Sequence, residues 1–160
     1  MVYYVYTDAS LNEEKGQAAC AFMILSEGKF ITAGCETYAL LSSKDAEAKA
    51  IAVATSSLKD YVKAEDTVRY YIDNVNVFKA TRAYSRKRSL SDVVSVYGYN
   101  VGNFCVEVSK VAEVCKVEAI KVQAHTGKQC GNTAVDRLAR YTLKYKLRKN
   151  EGAGNVCSSC

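Results

Sequence analysis

Residues 2–8 read VYYVYTD, an alternation of aromatic and β-branched side chains that ends at Asp8. This alternation is typical of a β-strand. The carboxylate directly follows the apolar run, so folding would draw it toward apolar neighbours. A carboxylate in such a position must be paired, protonated or bound to a metal ion, because the loss of its hydration alone costs too much free energy.

Three further carboxylates follow or join apolar segments in the same way. Asp73 ends the run VRYYID, Glu47 lies on the apolar stripe of a helical pattern, and Asp136 opens an amphipathic stretch. Each has a plainer explanation when it is taken alone. An acid in the first turn of a helix is favoured by the helix dipole, and an acid at a strand end can be a turn or cap residue. Together the four acids indicate one gathered cation site, and oxygen ligands of this kind select Mg²⁺ or Mn²⁺.

The composition predicts one domain with a core. The chain has 160 residues, of which 49% are hydrophobic, and no repeat or linker divides it. We therefore expect a single domain over residues 1–149 and a flexible tail over residues 150–160. The net charge of +5 favours polyanionic partners. No apolar stretch approaches the ~20 residues that span a bilayer, so we expect no membrane partner. We also expect no obligate protein partner and a monomer.

The cysteines indicate a reducing compartment. There are seven of them, unevenly spaced and mostly inside apolar patterns, which is typical of buried thiols and not of a disulfide framework. With no secretory signal visible at the amino end, we expect a cytoplasmic protein. Cys157 and Cys160 have C-x-x-C spacing, but a structural zinc would need two more ligands, so we interpret them as incidental thiols of the tail.

The apolar pattern predicts an α/β fold in the order βββαβαβα, with a further helix before the last strand. The first three strands are expected to form an antiparallel meander, with a turn over residues 11–17, and residues 85–89 a basic loop. The strands are predicted at residues 2–7, 18–25, 30–37, 67–73 and 118–124. The helices are predicted from a cap at Ser42 or Ser43, from a cap at Asn74 to residue 84, within residues 101–115, and over residues 132–149.

Five segments resemble, in order, the motifs of the type 1 ribonucleases H, and the similarity extends over residues 2–145. The resemblance implies a ribonuclease H-like fold, in which a five-stranded mixed sheet is flanked by helices. The segments are YTDAS at 6–10, like T-D-G-S; residues 42–51, like T-N-N-x-x-E-L-x-A; YIDN at 71–74, like T-D-S; VQAHTG at 122–127, like V-x-G-H-x-G; and residues 132–140, like N-x-x-A-D-x-L-A-R.

The resemblance also implies a chemistry. Asp8, Glu47, Asp73 and Asp136 match the family's ligands for two Mg²⁺ ions, for which Mn²⁺ is a possible substitute, and Asp8 is expected to bridge both ions. His125, the only histidine in the chain, matches the family's loop histidine, which assists proton transfer or product release. The implied activity is hydrolysis of the RNA strand of RNA/DNA hybrids, which leaves 5′-phosphate and 3′-hydroxyl ends.

The residues expected to contact the nucleic acid depart from the family pattern. Ser43 and Lys44 stand where the family often has two asparagines, and Val75 stands where a glutamine commonly reads the minor groove. The family's basic protrusion is shortened here and has no tryptophan. We therefore expect recognition to depend more on phosphate contacts than on the 2′-hydroxyl that distinguishes RNA from DNA. The candidate contacts are Ser10, Ser42, Ser43, Lys44, Asn74, Arg86, Lys87, Arg88 and Lys128.

Two alternative functions stay open at this point. The chain could be a catalytically silent domain of this fold that binds nucleic acid or protein, or a nuclease of the same fold that acts on another nucleic acid. The presence of all four acids argues against a silent domain, which has no chemical reason to keep a buried acidic cluster.

Overall fold

The computed structural model describes residues 1–39, 41–123 and 130–153. Over these ranges a five-stranded sheet carries helices on both faces. In chain order the elements are β1 (Val2–Asn12), β2 (Gln17–Ser26), β3 (Lys29–Ala39), α1 (Ser43–Leu58), β4 (Thr67–Ile72), α2 (Val75–Ser85), α3 (Leu90–Tyr97), α4 (Tyr99–Cys105), α5 (Glu107–Val114), β5 (Lys116–Lys121) and α6 (Cys130–Ala153).

The central strand of the sheet is β1. The strand order is β3-β2-β1-β4-β5, with antiparallel pairing from β1 through β2 to β3 and parallel pairing from β1 through β4 to β5. The predicted mixed sheet and its antiparallel meander are thus confirmed. The last pair between β1 and β4 joins Tyr6 to Tyr71. Asp8 and Asp73 each lie two residues beyond that pair, and therefore reach the same edge of the sheet.

The two faces of the sheet are covered by different helices. Residues 3, 5 and 7 of β1 are buried, and α1 with the shorter helices packs over this face in the main core. Helix α6 packs on the opposite face against β1 and β2, where Val135 and Ala139 contact Ala21. The alternation of β1 therefore directs its buried side chains toward α1 and the ring of Tyr6 toward α6.

Both predicted helix caps are present. The hydroxyl oxygen of Ser42 accepts a hydrogen bond from the backbone N–H of Asp45 at 3.2 Å. The side-chain oxygen of Asn74 accepts from the N–H groups of Asn76 and Val77 at 3.0 and 3.2 Å. Each cap satisfies donors that the first turn of a helix leaves without an intrahelical partner.

Several boundaries differ from the sequence prediction. Strand β1 continues to Asn12, where a turn was expected, because it stays paired with β2 as far as Gln17. Three short helices, α3 to α5, occupy the segment in which at least one helix was expected. Strand β5 begins at Lys116, two residues early, because its register is set by pairing with Thr67 of β4. The pairing of Lys116 with Thr67 is not local in sequence, so apolar periodicity alone did not reveal it.

Helix α6 is longer than predicted at both ends. It begins at Cys130 and reaches Ala153, which takes it into the segment expected to be the tail, and residues 154–160 lie outside the described residues. Within the described part of the chain, no helix has the length and apolar character that crossing a membrane requires. The four cysteines whose side chains are described, Cys20, Cys35, Cys105 and Cys115, are free thiols.

Candidate metal centre

Asp8 is held on the central strand at the edge where β4 ends. It pairs with Ala21 of β2, so its backbone is fixed by the antiparallel half of the sheet. Its Oδ1 accepts a hydrogen bond from the backbone N–H of Ala9 at 2.8 Å. One carboxylate oxygen is therefore oriented by the strand itself.

Glu47 reaches the same place from α1. It is 8% exposed and is the fifth residue of the helix, beyond the first turn, where the only acid is Asp45. The helix dipole therefore does not account for Glu47, because its effect is confined to the first turn. Packing of α1 on β1 and β2 is what buries this carboxylate.

The carboxylates of Asp8, Glu47 and Asp73 meet at this edge. Each contributes one oxygen, and these oxygens all lie within 4.8 Å of one another. Among the described residues, no lysine or arginine forms an ion pair with any of the three. Hard oxygen donors at this spacing are the ligands that Mg²⁺ and Mn²⁺ prefer.

The protonation of the cluster reflects its burial. Desolvation raises the pKa of Asp8 to about 6, opposed by the N–H of Ala9 and supported by the charge of Asp73. Desolvation also raises the pKa of Glu47 well above its usual value, and the charges of Asp8 and Asp73 add to the effect. Carboxylates gathered without a cation resist ionisation in this way. A divalent cation would favour their charged forms, so the residues present fit a metal site.

Asp136 is not part of the three-carboxylate group. Its Oδ1 accepts a hydrogen bond from Nε of Arg140, one turn further along α6, at 2.7 Å. The negative charge of Asp136 still contributes to the raised pKa of Asp8, so the two acids are within electrostatic reach. The contact of Arg140 with Asp136 was not predicted from the sequence, although the i,i+4 spacing of an acid and an arginine on one helix could have indicated the pair.

The helix caps also lie among the predicted nucleic-acid contacts. Ser42 and Asn74 accept backbone hydrogen bonds, but the serine hydroxyl and the asparagine NH₂ remain donors. Ser43 and Lys44 are exposed at the start of α1, and Ser10 is half-buried on β1. His125 and Lys128 lie outside the described residues.

The basic loop follows α2 and has a defined backbone. The N–H of Lys87 donates to the carbonyl of Tyr84, and the N–H of Arg88 donates to the carbonyl of Ala83. With a φ of 60° at Lys87, these bonds form a Schellman motif in which glycine is the usual residue. Arg86, Lys87 and Arg88 are exposed. The 11 residues of α2 separate them from the acids by roughly 16 Å.

An aromatic stack between the acid-bearing strands was not expected from sequence. The rings of Tyr6 and Tyr71 lie 4.8 Å apart with an interplanar angle of 17°. The first turn of α6 rests directly on this stack, since a Cβ added at Gly131 would lie 2.5 Å from the Tyr6 ring. The absence of a side chain at Gly131 therefore sets how closely α6, which carries Asp136, approaches β1.

The chain is similar in sequence and structure to known proteins. A family model described as RNase H matches residues 2–144. The solved structure of RNase H1 from the halophilic archaeon Halobacterium salinarum NRC-1 is similar with a TM-score of 0.64 and 18% identity, over 90% of this chain and 98% of that one. The N-terminal RNase H domain of rv2228c from Mycobacterium tuberculosis, solved as a fusion with maltose-binding protein, is similar with a TM-score of 0.68 and 13% identity, over 93% and 98%. No curated protein matches this sequence. At these identities the solved structures show the fold.

Replacing Asp8 with asparagine should stabilise the metal-free protein. Because the pKa of Asp8 is raised from 3.8 to about 6 in the folded state, the folded chain retains a proton that the unfolded chain loses between these values. Stability is therefore lost as pH rises through this window, and the loss is complete above about pH 6. We expect Asp8→Asn to raise the free energy of unfolding at pH 8 in chelator by on the order of 2 kcal/mol, with little difference from the parent at pH 4. Urea melts at both pH values measure this, and the exposed Asp60→Asn is the matched control. A gain that is equal at both pH values would contradict the assignment.

Substitution at Gly131 should be coupled to Tyr6. We expect Gly131→Ala to lower the free energy of unfolding by about 1–3 kcal/mol, because the added methyl group overlaps the ring, despite the better helix propensity of alanine. In a Tyr6→Val background the same substitution should be neutral or favourable. A double-mutant cycle by urea unfolding measures the coupling. Additive effects would show that the helix does not depend on this close approach.

Proposed function

The chain belongs to the ribonuclease H family, and we propose that it hydrolyses the RNA strand of RNA/DNA hybrids with two bound Mg²⁺ ions, leaving 5′-phosphate and 3′-hydroxyl ends. The observation that carries the proposal is the group formed by Asp8, Glu47 and Asp73, whose oxygens lie within 4.8 Å of one another. Acids gathered in this way, with no ion pair to a described lysine or arginine, cost stability, and cation binding offsets that cost.

We propose that each acid contributes to the site according to the strand or helix that positions it. Asp8 lies on β1 and Asp73 directly follows the adjacent parallel strand β4, so the sheet holds their separation, and Glu47 closes the site from α1. When bound, two divalent ions activate a water molecule and stabilise the leaving oxygen of a phosphodiester. The chain's own part is to hold the scissile phosphate over these carboxylates and to exclude lysine and arginine from them.

Asp136 and His125 are proposed to complete the site. Asp136 lies within electrostatic reach of Asp8 and is oriented by Arg140, so that Arg140 acts as a positioning residue for the fourth acid. For His125 we propose the proton-transfer or product-release role of the family's loop histidine. Its position in the sequence, between strand β5 and helix α6, supports that role.

Substrate binding is proposed to rely on phosphate contacts. Lys44 lies three residues from Glu47 at the exposed start of α1, and Lys128 lies in the segment that precedes α6. The basic loop forms a third cationic patch at the end of α2. Lys87 adopts the left-handed conformation without being glycine, which costs about 1–2 kcal/mol. A charged side chain at this costly position, Lys87, supports a role in binding.

Another nucleic-acid substrate for the same chemistry is the second candidate function. The observation that favours it is the sequence at the contact positions, where Ser43, Lys44 and Val75 replace residues that the family often uses to read a hybrid. Val75 is 49% exposed at the start of α2 and offers no hydrogen bond. Cleavage of labelled hybrid, duplex DNA and duplex RNA, each with Mg²⁺, Mn²⁺ or chelator, separates the two functions. Hybrid cleavage that requires a divalent ion is the expected result.

Loss of either strand acid should abolish this cleavage without unfolding the protein. We expect Asp8→Asn and Asp73→Asn to lower the rate of hybrid cleavage in Mg²⁺ by at least a thousandfold, because each removes a charged ligand from the cluster. Single-turnover rates measure the loss, circular dichroism verifies the fold, and Asp60→Asn serves as a matched control. Turnover within tenfold of the parent in either variant would refute the two-metal assignment.

Neutralising the basic loop should change binding and leave chemistry intact. With Arg86, Lys87 and Arg88 replaced by glutamine, we expect the Michaelis constant to rise and the maximal rate to stay within about twofold, because no metal ligand is touched. The dependence of hybrid affinity on salt should flatten by roughly 0.9 log unit per log unit of salt for each lost phosphate contact. The control variant replaces Lys29, Lys59 and Lys63, which are exposed at the opposite edge of the sheet. An unchanged salt dependence in the loop variant would mean that the hybrid is held elsewhere.

A further inference from the structure

The outer face of α6 is cationic and aromatic, and neither the fold nor the acidic cluster requires it to be so. Its inner stripe, Val135, Ala139 and Leu143, is buried against the sheet. On the opposite side Tyr141 is 68% exposed and Tyr145 is 47% exposed. Their rings are stacked, with centroids 6.0 Å apart and an interplanar angle of 7°.

Positive charge surrounds these rings. Arg137, Arg140 and Lys144 are exposed on the same helix. In sequence, residues 137–149 contain six lysines and arginines, and no acid occurs between Asp136 and Glu151. Arg140 pairs with Asp136, while no ion pair joins Arg137 or Lys144 to another described side chain. The surface therefore favours a polyanion.

We infer that the outer face of α6, formed by Arg137, Tyr141, Lys144 and Tyr145, binds single-stranded nucleic acid. Exposed aromatic rings flanked by cations are the combination that holds unpaired strands, because bases stack on the rings and phosphates meet the charges. A duplex offers phosphates to such a face but keeps its bases stacked inside. The face begins at Arg137, next to Asp136 in the sequence, and extends along the helix by roughly 12 Å to Tyr145.

The geometry disfavours a membrane surface as the ligand. A helix that lies in a bilayer interface buries its apolar face in lipid. In α6 that face is already occupied by the sheet, and the outer face presents two hydroxyl-bearing rings among cations. The binding is distinct from the proposed cleavage and is measurable without it.

The test uses a fluorescent 12-nucleotide DNA strand and the full-length chain in chelator, with affinity measured by anisotropy. We expect the pair Tyr141→Leu and Tyr145→Leu, which retains helix-forming apolar residues, to weaken binding roughly 5- to 150-fold, the loss that corresponds to about one stacked base. The pair Tyr141→Phe and Tyr145→Phe retains both rings and should bind within about twofold of the parent. Tyr61→Leu, an exposed tyrosine at the opposite edge, is the matched control. Equal affinity of the leucine pair and the parent overturns the inference, and so does an equal loss of affinity for blunt duplex DNA.

A fluorescence experiment tests the same inference and does not depend on whether the double leucine variant folds. The chain contains no tryptophan, so Tyr141→Trp introduces a single reporter on this face. Saturating single strand should quench its emission, since a stacked base contacts the indole ring, while Tyr61→Trp should remain unquenched. Binding of the strand without quenching at position 141 overturns the inference.

The charge contribution is tested separately. Arg137→Gln together with Lys144→Gln should flatten the salt dependence of single-strand affinity by roughly 1.4 log units per log unit of salt, at about 0.7 for each contact. An unchanged slope contradicts the proposed phosphate contacts. Since no arm measures cleavage, an absence of hybrid hydrolysis would refute the proposed function and leave this result standing.

Discussion

The parallel pairing of β1 with β4 is the contact on which the rest of the site depends. It joins two segments more than 60 residues apart and ends at Tyr6 and Tyr71, so that Asp8 and Asp73 lie at one level of the sheet. The stack of the two rings, 4.8 Å apart, strengthens the pairing on the face that α6 covers. Cross-strand aromatic pairs of this kind add stability to neighbouring strands. The positions of the acids follow from the strands that carry them.

The acidic cluster works against the stability of the same fold. Burial raises the pKa of Asp8 and of Glu47, so ionising these carboxylates costs folding free energy until a cation is present. The sheet and α1 must therefore supply enough packing energy to tolerate carboxylates that do not pair with a described lysine or arginine. A fold without a use for cations would be more stable with neutral side chains at these positions, and this is why we favour an enzyme over a silent binding domain.

Helix α6 links the cluster to the surface. Gly131 allows its first turn to approach Tyr6, its inner stripe packs on β1 and β2, and Asp136 lies within electrostatic reach of Asp8 while it accepts a hydrogen bond from Arg140. Its outer face carries the exposed tyrosines and cations proposed to bind a single strand. Core packing, the positioning of Asp136 and the proposed binding surface can therefore occur on one helix, because they use different faces of α6.

The sequence by itself determined the class of fold, the order of the elements and both helix caps, and it indicated the four acids as candidates, because these depend on local periodicity, cap chemistry and short motifs. The pairing of Asp136 with Arg140 is a local contact within α6, but tertiary structure alone decided that Asp8, Glu47 and Asp73 form one group. It also decided the register of β5 and the close approach of Gly131 to Tyr6. These features rest on contacts between segments distant in the chain, and a one-dimensional pattern of apolar residues carries no record of which distant segment will supply the partner.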